Sequence, residues 1–196
     1  IDRIDFFESD GISLDVKLQA GRVDGWNALV AYLAANNMAD PTHYAYVKQQ
    51  VDIEDLVDYV AGQVFVADRS WQHNRKWWRD RTAGGRWRWC FVDLDRALDV
   101  TRVNYNQIAS MASLMPVFSD LLSNAEFRSY AAQRIMAHLN SSFRPDRIIP
   151  MVDNEALRIR SEIVPHTQLY GTQGGIGSVA IWDNHIQGIR DYALQR

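Results

Sequence analysis

Apolar and polar positions along the chain follow two rhythms. Ser13 to Leu18 alternates and ends at Gly21, which predicts a short strand. Trp26, Leu29, Val30 and Leu33 then recur at the three-and-four spacing of a buried helical face, with Asp24 offered as the cap. Pro41 and Thr42 open a second helix through Tyr44 and Val47. Ile53, Leu56, Val57, Val60, Val64 and Phe65 predict a longer, deeply buried helix capped by Asp52.

After Phe65 the period falls to two, first in Lys76 to Asp80 and again in Arg86 to Val92. Thr82-Ala83-Gly84-Gly85 between them supplies the glycines of a tight turn, so this region reads as a β-hairpin. Its second strand leads straight into Asp93-Leu94-Asp95 and so delivers two carboxylates at a strand end. Helical spacing resumes from Ile108, through Leu114 to Leu122 and Ala125 to Leu139. Another helix is predicted from Pro145 until Pro165 stops it, and Ser178 opens a last one through Ile181, Ile186 and Tyr192. The expected fold class is α+β, mainly α, with one β-hairpin.

Composition narrows the class. A chain of 196 residues, 47% hydrophobic and 23% charged, suits one compact domain over residues 1–196. A single cysteine, Cys90, excludes an internal disulfide framework and offers too few ligands for structural zinc; in its apolar strand it reads as packing. No apolar run approaches the roughly 20 residues of a membrane helix, so no membrane partner is expected. The start at Ile1, without an initiator methionine, suggests a piece of a longer polypeptide.

Charge changes the picture more. The net charge is −3, yet Arg69 to Cys90 carries seven cations (Arg69, Arg75, Lys76, Arg79, Arg81, Arg86, Arg88) against Asp80 alone. Five of the seven tryptophans, Trp71, Trp77, Trp78, Trp87 and Trp89, lie in the same window. Such a mixture suits a polyanionic partner, or an arginine surface stacked on tryptophan rings. Single-stranded nucleic acid is one anion that interleaved Arg and Trp would hold.

Other motifs carry less. Gly171 to Gly177 is glycine-rich before a helix, but no strand leads into it and a turn explains it. Asp93 to Asn104 has Leu98 where a calcium loop needs glycine, and Asn104 where it needs glutamate. His43, His73, His138, His166 and His185 show no ligand spacing. What remains is Asp68 and Asn74 in a loop after the buried helix, followed by the hairpin and Asp93. One carboxylate near an acceptor hydroxyl, an Asn and an Asp for magnesium, and cations facing phosphate are what phosphoryl transfer requires. An arginine-rich hairpin paired with exposed acids is the plain alternative.

This run resembles the spore-coat CotH kinase family. Its pattern N-x-D-W-x-x-N-N, then K-x-W-R, is matched at Trp71, Asn74, Lys76, Trp78 and Arg79. The later K-W-R-W and D-L-D are matched almost without interruption from Arg86 to Asp95. Ile1-Asp2-Arg3, Val51-Asp52 and Ile189 to Ala193 with Arg196 extend the likeness over most of the chain. The resemblance implies an atypical protein-kinase fold, here its C-terminal lobe, transferring phosphate from ATP to serines of proteins with magnesium. It implies Asp93 and Asn74 as metal ligands, with Asp93, Asn74 and Lys76 toward ATP, and Asp68 and Asn74 as the catalytic pair. The family's aspartate before the tryptophan is Ser70 here, and an acid stands two positions earlier as Asp68. Either Asp68 replaces the base, the reading favoured, or the base is lost and the domain is a pseudokinase-like scaffold or adhesion module. Expected partners are a protein with serine-rich segments and an upstream small lobe of the same polypeptide, without which ATP binding should be weak. Such domains occur in sporulating cells, on spore coats and on secreted or surface proteins, which leaves localisation open.

Overall fold

A computed structural model describes residues 3–9, 16–171 and 175–196. The chain forms two compact units, the first made of residues 1–97 and 106–137 and the second of 98–105 and 138–196. The strand expected over Ser13 to Leu18, the Gly171 to Gly177 turn and the Ile1-Asp2-Arg3 segment lie partly outside the described residues.

The first unit is built on a four-stranded antiparallel sheet of order β2-β1-β3-β4. Its strands are β1 (Ile4–Ser9), β2 (Val16–Ala20), β3 (Lys76–Asp80) and β4 (Arg88–Cys90). The hairpin read from the sequence is β3-β4, but it is continued by β1, a strand that the hydrophobic rhythm does not reveal. On β1 the buried side chains are Asp5, Phe7 and Ser9, so two of three inward positions are polar. Asp5 is tolerated there because Arg79 Nε stands 3.0 Å from its carboxylate, Arg81 Nε stands 3.5 Å from it, and the backbone N–H of Arg22 donates to it at 2.8 Å. Buried charge is tolerable only with such pairing.

Three helices follow the first two strands: α1 (Asp24–Ala35), α2 (Pro41–Gln50) and α3 (Ile53–Val66). Asp24 is the first helical residue of α1 rather than its cap, and Val23 occupies the cap position without a side-chain bond. A side chain at Gly25 would collide with the Arg79 guanidinium, so glycine there is what lets Arg79 lie against Trp87, 4.8 Å from its ring. Asp52 stands at the N-cap of α3 yet caps nothing with its side chain. Its carboxylate accepts instead from Arg86 Nη2 at 3.1 Å and Arg88 Nε at 2.9 Å. Two guanidiniums outcompete a backbone amide for this buried carboxylate because each bond is charge-assisted on both sides.

The core lies between the sheet and these helices. Phe7, Trp26, Trp77 and Trp87 pack ring against ring at centroid distances of 4.9 to 6.0 Å. Helix α3 is buried as expected, with Leu56, Val57 and Val60 fully enclosed. Helices α4 (Gln107–Leu114) and α5 (Pro116–Leu121) and most of α6 (Ala125–Leu139) complete the unit. Arg134 on α6 is bound by Asp58 and Glu54 of α3.

The second unit holds a 3-10 turn at Val100–Arg102 and the pair α7 (Pro145–Tyr170) and α8 (Val179–Gln195). Asp99 caps the turn, accepting from Thr101 N at 2.8 Å. Pro165 does not stop α7, which runs through both Pro150 and Pro165. Each proline removes one helical bond, but Ala156 and Ile163 are held against Trp182 of α8, and ion pairs Arg160–Asp183 and Arg190–Asp153 run alongside. Ser178 caps α8 as expected. Among the described residues no helix is long and apolar enough to cross a membrane.

Asp55 on α3 ties the helix to the free edge of β4, accepting from Trp89 N at 2.7 Å. Burial, reinforced by the neighbouring Asp52 and Asp58 and opposed by the Trp89 bond and Arg88, pushes its carboxyl above the usual range. The folded chain therefore holds this proton more tightly than the unfolded chain. Its stabilising contribution is present below about pH 4 and is lost as pH rises through the raised value. Asp55→Asn should thus gain stability relative to the parent between about pH 4 and pH 7. Urea unfolding at both pH values checks this, and a constant difference would refute it.

Candidate active site

Helix α3 ends at Val66, where Ala67 takes a left-handed φ of 46° and turns the chain sharply into the Asp68–Arg75 loop. Asp68 is fully buried there. Its Oδ1 accepts from Ser70 N at 3.0 Å and Ser70 Oγ at 2.9 Å, while its Oδ2 is enclosed without any partner. Asn74 Nδ2 in turn donates to Ser70 Oγ at 3.3 Å, to Asp93 Oδ2 at 3.2 Å and to Asp93 O at 3.3 Å. A continuous polar chain thus runs Asp68, Ser70, Asn74, Asp93, from a buried end to an exposed one.

The hairpin does not present Asp93 at a strand end, as the alternating pattern suggests. Strand β4 stops at Cys90, and Asp93 lies in the loop beyond it with φ of 52°. Left-handed backbone is uncommon outside glycine, and Asp and Asn accept it best. Two contacts fix this loop. Phe91 lies over α3 at Gly62, where any side chain would strike its ring, and 5.1 Å from the Tyr59 ring. Arg69 N donates to Arg96 O at 3.3 Å, joining the Asp68 loop to the Asp93 loop. Gly62 is a positioning residue that sequence reasoning missed; a glycine inside an otherwise strong helix is the signal for it.

Lys76 stands apart from this network, with Nζ 3.3 Å from Glu8 Oε2 on the neighbouring strand. The arginines of the hairpin are mostly paired and its tryptophans mostly enclosed, with Trp78 half-exposed. Trp71, Trp77, Trp87 and Trp89 are buried, and Arg79, Arg81, Arg86 and Arg88 face Asp5 or Asp52. The four enclosed rings cannot stack bases, and Trp78 is the half-exposed one of the five. Cys90 is half-buried, and desolvation with the nearby Asp55 pushes its thiol up, away from nucleophilic use.

Among the described residues no group of three or more His, Cys, Asp or Glu is placed to hold a metal. The donors at this site nonetheless suit magnesium, which takes hard oxygens from one or two carboxylates and completes its shell with water and phosphate. Asp93 offers an exposed carboxylate, and every bond described for the Asn74 amide is made by Nδ2, which leaves Oδ1 available.

A loop carboxylate, an amide and a second carboxylate beyond a hairpin are thus joined in one network through Ser70. The chain matches the family model described as CotH kinase protein over residues 13–196, and it belongs to that family. Comparison with curated proteins and with solved structures returned no significant match.

Proposed function

We propose that this chain forms the metal-binding and acceptor side of a magnesium-dependent site that transfers the γ-phosphoryl group of ATP to serine hydroxyls of proteins. The reading is supported above all by the polar chain from Asp68 to Asp93, which links residues from two loops separated by a hairpin. Asp93 and Asn74 hold the magnesium ion, which when bound neutralises charge on the phosphates.

The residues of the chain then handle the acceptor. Its serine oxygen forms a bond to the γ-phosphorus as the bond to the β–γ bridging oxygen breaks, and the hydroxyl proton must leave. Asp68 is the base, but it is enclosed, and the group of its network that adjoins Asn74 is Ser70 Oγ. Ser70 therefore relays the proton, donating its own to Asp68 as it takes the one from the acceptor. Its position is the one the family's pattern gives to aspartate. The unpartnered Asp68 Oδ2 marks a carboxylate whose hydrogen bonding is incomplete in the resting state.

Asp68→Asn is expected to lower phosphate transfer to a serine-rich peptide by about 10²-fold or more. The double variant Asp68→Asn with Ser70→Asp, which recreates the N-x-D-W order, should recover most of the loss. Transfer of labelled phosphate from ATP is the measurement, and equal activity of parent and Asp68→Asn would exclude Asp68 as base.

A further inference from the structure

The first unit contains a cavity that phosphoryl transfer does not use. Phe7, Trp77 and Trp89 are cross-strand neighbours in register on one face of the sheet. With Trp26 and Val30 of α1 and the turn at Leu114 to Val117 they line a space of about 670 Å³. Sites for small molecules typically fall between about 300 and 1,000 Å³ and combine an apolar lining with a few polar groups. Here the described lining is apolar except for Asn27 and Arg75.

Arg75 is the unusual group. It is 7% exposed, its Nη1 donates to Leu114 O at 2.6 Å, and its guanidinium lies 5.5 Å from the Trp71 ring. Its Nε is enclosed without an acceptor, and among the described residues no carboxylate pairs with it. Nη2 takes no part in these bonds. Trp77 Nε1, on the same wall, is also buried without an acceptor. The contrast with the hairpin is sharp, since Arg79 and Arg81 share Asp5, and Arg86 and Arg88 share Asp52. A buried cation without a counter-charge is strongly unfavourable unless an anion arrives to compensate it.

An anion alone would leave the apolar walls unfilled, and a hydrocarbon alone would leave the charge unmet. We propose that this cavity binds a small amphiphile, an aliphatic chain ending in a carboxylate, with the chain among Trp26, Val30 and Trp77 and the carboxylate on Arg75. The site stands independently of the phosphotransfer reading, because none of its lining belongs to the Asp68–Asp93 network.

Three tryptophans in the wall make binding visible by fluorescence. The probes are dodecanoate and dodecan-1-ol, which share a chain length and differ in the charged head, each titrated into the whole chain below its aggregation concentration. Dodecanoate should bind with one-to-one stoichiometry and roughly tenfold or more tighter than the alcohol, the margin of a charge-assisted hydrogen-bonded pair. Arg75→Met, which keeps the stem and removes the charge, should erase that preference. Ala31→Trp, at an exposed position on the rim, should weaken both probes. If Arg75→Met fails to fold, the two probes on the parent and on Ala31→Trp decide the matter. Equal affinity for the two probes, no binding of dodecanoate, or binding undiminished in Ala31→Trp would overturn the proposal.

Discussion

Asp93→Asn is expected to abolish phosphate transfer while leaving the fold intact. Asn keeps the size of the side chain and tolerates the left-handed φ of 52°, so any loss is assigned to the missing charge rather than to backbone strain. Asp93 is exposed and its described side-chain contact is with Asn74, which also reaches the main-chain oxygen of residue 93 and keeps that anchor. On the proposed magnesium site, removing the charge of Asp93 should lower the rate by at least the 10²–10³-fold seen when one preorganised electrostatic contact is removed. Asp93→Ala should lose as much activity and also some stability, because a plain side chain is less at ease in that backbone region. Labelled-phosphate transfer read beside thermal unfolding separates the two effects. Retention of more than about a tenth of parental transfer by Asp93→Asn would remove Asp93 from the metal site.

The largest stability effect is expected at Trp87. The residue is fully buried, its ring centroid is 5.7 Å from that of Phe7 and 5.1 Å from that of Trp26, and the Arg79 guanidinium lies over it. Its backbone also bridges helix to hairpin, donating to Gln50 O at 2.8 Å and accepting from Asp52 N at 3.0 Å. Trp87→Ala should cost about 3–5 kcal/mol through lost burial and the cavity left behind. That is a large part of the 5–15 kcal/mol by which a domain is usually stable. Trp87→Phe should cost much less, because the indole Nε1 is buried without an acceptor and its removal relieves an unmet donor. Half-exposed Trp78 provides the comparison, with a smaller loss on truncation. Denaturant midpoints at unchanged slope give these differences, and a loss below about 1 kcal/mol for Trp87→Ala would mean the aromatic cluster does not hold the unit together.

Helical rhythm was legible wherever one face is apolar and continuous. Helix α3, the Pro41 start of α2, the Ser178 cap of α8 and the β3-β4 pairing all follow from local pattern and turn chemistry, which need no distant partner. The W-R-W and D-L-D run, read against a family pattern, identified the region around Asp68, Asn74 and Asp93, and the three are joined in the fold.

What the chain alone could not reveal depends on partners far away in sequence. Strand β1 was hidden because Asp5 and Ser9 occupy buried positions, and only Arg79 and Arg81, brought alongside by the sheet, make Asp5 acceptable there. Asp52 looks like a cap until Arg86 and Arg88 arrive, and Pro165 looks like a stop until α8 packs against α7. The same holds for the site. Local sequence supplied its acids and amide and the Ser70 bonds between Asp68 and Asn74, whereas the burial of Asp68, the approach of Asp93 and the departure of Lys76 to Glu8 were decided by tertiary structure. Charge and hydrogen bonding act over a few ångströms of space, and spacing along a chain measures that distance only within a single helix, strand or turn.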